Sequence, residues 1–233
     1  MAVAAGAIVA SGERHRRVAS PSQPAPLTLG SSTQGRSIAA FELGDPNAAR
    51  KLLIVGCIHG DERAGIAIAR ALETLPAPAG VDLWVVENLN PDGAAANTRQ
   101  NAHGVDLNRN FPFRWRRMGR RGDQQYPGRR ALSEPESRIA QRLILRLRPA
   151  ITIWFHQPLG VVDKSGGDVR VERRFARLTH LPLRRLTRYP GSAAGWQNHR
   201  VKGSTAFVVE LHRGSLSVAR AERYAKAVDA LAG

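Results

Sequence analysis

Apolar runs that alternate with helix-like segments constrain the fold of this chain more than any other feature. Three of these runs, KLLIVGCI (51–58), VDLWVVENL (81–89) and PAITIWFH (149–156), have the length and continuity of strands buried on both faces. Helical spacing of apolar residues follows in ERAGIAIARALETL (62–75) and in a segment that begins near Ser133 with a serine capping signal. This alternation predicts an α/β fold, a three-layer α/β/α sandwich around a mixed, largely parallel central sheet.

Segments outside these runs extend the prediction to both ends of the domain. SIAAFELG (37–44) and TAFVVELH (205–212) have strand patterns, and SVARAERYAKAVDALAG (217–233) has the pattern of a C-terminal helix. The polar segment 90–130 and YPGSAAGW (189–196) are rich in turn residues and are predicted to be loops. Because long loops in compact domains are usually functional or disordered, segment 90–130 is a candidate functional region.

The length of 233 residues fits one domain preceded by a short leader. Residues 1–27 combine small, basic and Pro/Ser-rich stretches, which predicts a flexible leader, and residues 28–233 are predicted to form the folded domain. The leader contains a short apolar region but lacks the basic residues that precede this region in a secretory signal, so we interpret it as at most a shortened signal region. The compartment is left open between the cytoplasm and export.

The composition predicts a strongly basic surface. The chain has 35 Lys and Arg residues against 19 Asp and Glu residues, and its net charge is +16. The arginines are scattered, and few aromatic residues lie among them, unlike the stacking platforms that bind single-stranded nucleic acid. We therefore expect a solvated surface that attracts anions, with no specific nucleic-acid ligand. No stretch approaches the roughly 20 apolar residues of a membrane span.

Three reactive side chains lie at or near the C-terminal ends of predicted strands, where α/β sheets bind ligands. They are His59, His156 and Glu210. Two histidines and a carboxylate, here Glu62, are a common ligand set of catalytic zinc. Taken alone, the HxxE spacing favours a capping histidine and a glutamate that complements a helix dipole over a zinc site. Cys57, the only cysteine, lies inside an apolar run, which favours a packing role over a ligand role.

Five motifs, taken together and in order, resemble the zinc carboxypeptidase (M14) family of metallopeptidases over residues 33–231. These motifs are HGDE (59–62), NLNPDG (88–93), TRQNAHGVDLNRNFP (98–112), WFHQP (154–158) and FVVEL (207–211). The resemblance implies an α/β sandwich around a mixed eight-stranded sheet, one bound zinc ion, and hydrolysis of an amide next to a free carboxylate. It therefore makes residues 28–233 a catalytic domain.

The resemblance also implies the zinc ligands and the acid–base group. His59 and Glu62 match the first two ligands, and His156 matches the third. Glu210 matches the general base and acid of the family. Elementary chemistry agrees, because a carboxylate beside the attacking water can accept its proton and pass it to the leaving amine.

Further residues match the groups that hold the substrate in the family. Asn108 and Arg109 match the pair that binds the substrate carboxylate, and Arg99 matches the arginine that stabilises the oxyanion. Asp106 is expected to orient His59 by accepting its second ring proton. Tyr189 lies near the position of a mobile tyrosine that covers the substrate. The spacing between NPDG and GVDLNRNF is shorter here than in digestive carboxypeptidases.

The predicted substrate class rests on a difference in sequence between this chain and the digestive carboxypeptidases. In these enzymes a residue shortly before a tryptophan selects the terminal side chain, and here the corresponding positions hold Ala194 or Gly195, which offer neither charge nor bulk. WFHQPLGVVD and ALSEPES make the chain more similar to bacterial murein peptide amidases, which implies cleavage between γ-D-glutamate and diaminopimelate. Two alternatives are a general metallocarboxypeptidase acting on L-peptides and a non-catalytic basic binding module. The sequence does not indicate an oligomeric state.

Overall fold

The apolar runs form the centre of an eight-stranded sheet in the computed structural model, which describes residues 1, 25–76 and 78–232. The strands are β1 (Leu27–Ser31), β2 (Ser37–Gly44), β3 (Lys51–Val55), β4 (Asp82–Val86), β5 (Ile151–His156), β6 (Leu159–Asp163), β7 (Leu183–Arg184) and β8 (Thr205–His212). Their order in the sheet is β1-β2-β4-β3-β5-β8-β6-β7. The four central strands are parallel, whereas β2 and β6 join them antiparallel. The predicted mixed sheet with a largely parallel centre is confirmed.

Helices cover both faces of this sheet. They are α1 (Ala64–Thr74), α2 (Pro91–Ala96), α3 (Pro135–Leu147), α4 (Val169–Thr179), α5 (Ala193–Arg200) and α6 (Val218–Ala232). Helices α1, α4 and α6 pack on one face and α3 and α5 on the other. Because side chains alternate along a strand, Leu52 and Ile54 of β3 enter the first core, and Leu53 and Val55 enter the second. The predicted three-layer sandwich is therefore confirmed.

The predicted strand 51–58 is shorter in the structure, where β3 ends at Val55. A side chain at Gly56 would lie 2.6 Å from the backbone oxygen of Glu87 and 2.9 Å from that of Gly65, so the chain can pass here only with a glycine. The backbone of Cys57 still accepts a hydrogen bond from the N–H of Leu89. The chain thus leaves the sheet before it reaches His59.

Three predictions around helices differ from the structure. The segment 90–130 was predicted to be a loop, but α2 (Pro91–Ala96) lies within it. Helix α3 begins at Pro135, and the residue before it is Glu134 rather than Ser133, whose hydroxyl is engaged by Asn110 and by Glu134 itself. The segment 189–196 was predicted to be a loop, but helix α5 begins within it at Ala193.

The structure describes only a small part of the predicted leader. Residues 2–24 of the predicted leader lie outside the described residues, and Leu27, which the sequence placed in the leader, is the first residue of β1. Within the described ranges, none of the helices combines the length and the apolar character needed to cross a membrane.

The carboxylate of Glu73 has a pKa well above its usual value. Glu73 lies in α1, where burial and the neighbouring carboxylate of Glu87 raise its pKa to about 7. The guanidinium of Arg70 pairs with Glu87 at 3.0 Å, which leaves Glu73 without a cation of its own among the described ion pairs. Because the unfolded chain releases this proton near the ordinary pKa of 4.5, the folded state loses stability as the pH rises from about 4.5 to about 7.

We predict that Glu73→Gln removes this loss. The free energy of unfolding of the wild type, measured with urea, should decrease between pH 5 and pH 8 by more than that of the variant. Glu42→Gln, which removes an exposed carboxylate from β2, serves as the control and should leave the wild-type pH dependence in place. An identical pH dependence for wild type and Glu73→Gln would contradict the assignment.

Candidate metal centre

The candidate site begins where two central strands end side by side. His156 is the last residue of β5, and in the parallel ladder it lies beside Glu210 of β8. The backbone hydrogen bonds of this ladder fix the separation of the two residues. His156 is almost fully buried, and Glu210 is half-buried.

The loop between β3 and α1 brings His59 and Glu62 to the same place. This loop lies against α2 at a very short distance, because a Cβ atom at Gly60 would be 1.9 Å from the carbonyl carbon of Gly93. The N–H of Gly60 donates to the backbone oxygen of Arg99. Backbone-to-backbone contact of this kind cannot relax by rotating a side chain, so it fixes the course of the loop and the two side chains that the loop carries.

Three side chains converge on one point. The Nδ1 atom of His156 lies 3.1 Å from Nδ1 of His59 and 2.8 Å from Oε2 of Glu62, and Nδ1 of His59 lies 3.0 Å from Oε1 of Glu62. Metal–ligand bonds of 2.0–2.2 Å place the ligand atoms of a tetrahedral site roughly 3.3 Å apart. All three residues are buried, and together they form the group that could hold a metal ion among the described residues.

The electrostatics of the site fit a bound cation. Burial by itself would raise the pKa of Glu62, but His59 and His156 outweigh it and hold this pKa well below its usual range. Burial would likewise lower the pKa of His59, yet the carboxylates of Glu62 and Asp106 raise it. The site therefore favours an ionised carboxylate next to positive charge, which is the environment that a divalent metal provides.

Asp106 lies directly behind His59. Its Oδ1 atom is 3.0 Å from Nε2 of His59, and its side chain is fully buried. The pKa of Asp106 is held well below its usual range, since His59 and Arg99 outweigh the effect of burial. With Nε2 engaged by this carboxylate, the Nδ1 atom of His59 is free to face the metal position.

Arg99 connects the two carboxylates of the site. Its Nη1 atom donates to Oε1 of Glu62 at 2.8 Å, and its Nε atom donates to Oδ2 of Asp106 at 3.0 Å. The guanidinium also borders the cavity that lies in front of the three converging side chains.

Asn108 and Arg109 lie next to this centre in a turn that Asp106 begins. The amide oxygen of Asn108 accepts from the N–H of Ala193, and its Nδ2 atom is 3.4 Å from Nε2 of His156. The guanidinium of Arg109 lies 4.2 Å from the centre of the Tyr189 ring. Its Nε atom is buried without a partner among the described residues, so the guanidinium retains donor capacity.

Among the described residues that line the cavity, Glu210 is the one carboxylate without an ion-pair partner. Its Oε2 atom is buried and has no hydrogen-bond partner within the described part of the chain. Burial raises the pKa of Glu210 above its usual value. An unpaired buried carboxylate oxygen costs free energy, which is tolerated where the group has a chemical role.

One cavity of about 430 Å³ brings the sequence-predicted residues together. Its lining includes His59, Glu62, Arg99, Asn108, Arg109, His156, Tyr189 and Glu210. Asp106 supports this lining from inside the protein. The cavity also contains Ala194 and Gly195, at the positions where the sequence indicated neither charge nor bulk.

Sequence reasoning missed three polar residues of the site. The backbone N–H of Gln157 donates to Oε2 of Glu62, and its side-chain oxygen accepts from the N–H of Ala64 at the start of α1. Asp163 and Arg188 line the cavity as an ion pair at 2.8 Å. Gln157 and Asp163 both belong to WFHQPLGVVD (154–163), which was an available signal, whereas Arg188 lies in a segment without a recognisable pattern.

Cys57 has the packing role that its place in the sequence predicted. Its thiol is buried and lies 3.0 Å from the backbone oxygen of His59. Burial, followed by the charge of Glu62, raises the pKa of the thiol to about 12. The thiolate form that could bind a metal is therefore strongly disfavoured.

Comparisons with known sequences point to one group of hydrolases. The family model for the succinylglutamate desuccinylase/aspartoacylase catalytic domain matches residues 48–232. Murein peptide amidase A of Escherichia coli K12 is 34% identical over 185 residues, which cover 72% of this chain and 76% of that protein. Murein peptide amidase A of Vibrio campbellii is 32% identical over 189 residues and covers 75% of each chain.

Comparisons with solved structures agree with the sequence matches. The murein-tripeptide amidase of Escherichia coli O157 superposes with a TM-score of 0.71 at 28% identity, covering 89% of this chain and 91% of that one. Carboxypeptidase A of Helicoverpa armigera reaches a TM-score of 0.76 at 18% identity, covering 89% of this chain and 67% of that one. The second likeness supports the fold alone.

The contact between Gly60 and Gly93 leads to a prediction for metal binding. Gly60→Ala should force the loop away from α2, at a cost of about 1–3 kcal/mol in the free energy of unfolding. Because the shift moves His59 and Glu62, the affinity for a divalent metal should fall by about 10-fold or more. Urea unfolding and metal titration calorimetry measure the two effects.

Gly80→Ala is the matched control for this substitution. Gly80 has a φ of 67° but open space around its Cβ position, so the control carries backbone strain without moving the loop. It should lose stability and keep wild-type metal affinity. Wild-type metal affinity in Gly60→Ala would contradict the role given to this contact.

Proposed function

The chain belongs to the family of the succinylglutamate desuccinylase/aspartoacylase catalytic domain, and from that premise we propose that it is a zinc-dependent murein peptide amidase. The family match confirms the predicted resemblance to zinc carboxypeptidases and makes the chain a hydrolase. The proposed reaction cleaves the amide between γ-D-glutamate and diaminopimelate, next to a free carboxylate. The observation that carries the proposal is the convergence of His59, Glu62 and His156 beside Glu210, whose Oε2 atom has no hydrogen-bond partner among the described residues.

Zinc is the metal that this donor set favours. Two imidazole nitrogens and one carboxylate are a common protein ligand set of catalytic zinc sites, in which a further position remains open. A bound Zn²⁺ would supply a lowered pKa for a coordinated water and polarisation of the scissile carbonyl. We therefore assign one zinc ion per chain to His59, Glu62 and His156, with Asp106 holding His59 in the required orientation.

Glu210 is assigned the proton transfers. Its buried carboxylate faces the cavity beside His156, where it can accept the proton of the attacking water and later donate it to the departing amine. The raised pKa that burial causes makes the carboxyl a better proton carrier near neutral pH than an exposed glutamate.

The arginines of the cavity are assigned to the negative charges of the substrate and of the reaction. Arg109, with Asn108, would bind the free carboxylate next to the scissile amide, because a guanidinium binds a carboxylate through two parallel hydrogen bonds. Arg99 would stabilise the oxyanion that develops at the carbonyl. Tyr189, which already lies on Arg109, would cover the bound end of the substrate.

The murein peptide is favoured over an ordinary peptide by two observations. The relatives named murein peptide amidase are 32–34% identical over three quarters of their length, whereas carboxypeptidase A of Helicoverpa armigera is 18% identical. Arginines at three positions of the cavity (Arg99, Arg109 and Arg188) also suit a peptide with several carboxylates. A general metallocarboxypeptidase remains the second candidate, because the fold is shared with such enzymes.

A matched pair of substrates separates these two candidates. A γ-D-glutamyl-diaminopimelate peptide should be cleaved, and an N-blocked L-dipeptide with a free C-terminus should be cleaved far more slowly. The reverse preference would favour the metallocarboxypeptidase. Cleavage of neither, with zinc bound, would favour the non-catalytic binding module.

We predict that Glu210→Gln abolishes most activity without removing the metal. The kcat on the γ-D-glutamyl-diaminopimelate peptide should fall by about 100-fold to 10,000-fold, because the amide cannot carry the proton. Metal analysis should find one zinc in both proteins, since Glu210 is not among the three converging ligands. Glu42→Gln is the control and should keep full activity. An active Glu210→Gln enzyme would disprove the assigned acid–base role.

A further inference from the structure

We propose that Arg188, held in place by Asp163, selects substrates whose released residue carries a second carboxylate at the far end of its side chain. The inference deepens the proposed function and rests on it for the identity of that residue, diaminopimelate. Arg188 would thus act on the side chain, whereas Arg109 is assigned to the carboxylate beside the scissile amide.

Asp163 is built into the protein as the support of Arg188. It is the last residue of β6 and is almost fully buried. Its Oδ1 atom accepts from the N–H of Leu186, and its Oδ2 atom accepts from the hydroxyl of Ser165 at 2.7 Å and from Nη1 of Arg188 at 2.8 Å. Three donors on one buried carboxylate leave it little capacity for a ligand and fix its direction.

Arg188 itself is only partly used by the fold. Its side chain is 39% exposed, and Asp163 is its one ion-pair partner in the described ranges of the chain. Its guanidinium therefore presents unused N–H donors at the cavity wall. A fork of donors held by a buried acid is preorganised to bind a carboxylate, because little further ordering is needed on binding.

The sheet register locates Asp163 relative to Glu210, the residue assigned the proton transfers. In the sheet, Val161 of β6 lies opposite Glu210, and Asp163 follows two residues later, about 7 Å further along the strand. Ala194 and Gly195, with their small or absent side chains, line the same cavity. The cavity thus continues from the reacting centre to Arg188, and small residues form part of its wall.

The chemistry of diaminopimelate matches this arrangement, and that of lysine does not. The two side chains have the same length and both end in an ammonium group, but diaminopimelate carries a carboxylate on the same terminal carbon. Arg188 would donate hydrogen bonds to this carboxylate, whereas the lone ammonium of lysine offers the guanidinium no acceptor. Selectivity would thus come from a contact that diaminopimelate can make and lysine cannot.

The test compares two peptides and two free amino acids. We predict that zinc-loaded wild type prefers γ-D-glutamyl-diaminopimelate over γ-D-glutamyl-lysine in kcat/KM, and that Arg188→Gln reduces this ratio by about 10-fold to 100-fold. Binding of free diaminopimelate and free lysine, measured by calorimetry, should show the same loss of preference. Arg188 is exposed and Asp163 keeps two other donors, so the variant should fold, which its unfolding temperature checks.

Arg185→Gln is the matched control, because it removes an exposed arginine of the same segment that does not line the catalytic cavity. It should keep the wild-type preference. The inference would be overturned if Arg188→Gln kept the preference for diaminopimelate, or if the wild type showed no such preference. Cleavage of the peptides would in either case uphold the proposed function. Conversely, Arg188-dependent binding of free diaminopimelate without peptide cleavage would support the inference and count against the proposed function.

Discussion

The parallel ladder between β5 and β8 is the constraint on which the site depends. It places His156 and Glu210 side by side, and both strands are buried among apolar neighbours on each face of the sheet. A shift by one residue would turn every side chain of a strand to the opposite face, so it would move His156 and Glu210 from the cavity into the apolar core beneath α1, α4 and α6. A metal ligand and a free carboxylate are thereby held together by the core rather than by a loop.

The second half of the site is fixed by charge and by backbone contact. Glu62, Asp106 and Arg99 form a buried chain of opposite charges around His59. Such a network tolerates burial because each charge has a partner. Glu210 is the exception, since its Oε2 atom has no partner among the described residues. The paired charges thus fix the geometry of the site, whereas the oxygen without a partner belongs to the residue that is assigned the proton transfers.

The centre of the fold was predictable from the sequence, and its edges were not. Strands β3, β4 and β5 are continuous apolar runs, which a buried parallel sheet requires. The two-residue strand β7 and the half-exposed β1 carry no such pattern, because their positions depend on neighbours already in the sheet. His156 was predictable for the same reason, because it ends a continuous apolar strand. Arg188 was not, because its position depends on an ion pair with a buried partner 25 residues earlier in the sequence.

The site as we propose it binds one zinc ion through His59, Glu62 and His156, beside Glu210. Diffraction data collected at the zinc absorption edge, from crystals of the zinc-loaded protein, test it most directly. We expect a single anomalous peak about 2.0–2.2 Å from Nδ1 of His59, Nδ1 of His156 and a carboxylate oxygen of Glu62. A peak at another set of residues, or none at this position in a zinc-loaded and active protein, would disprove this zinc site.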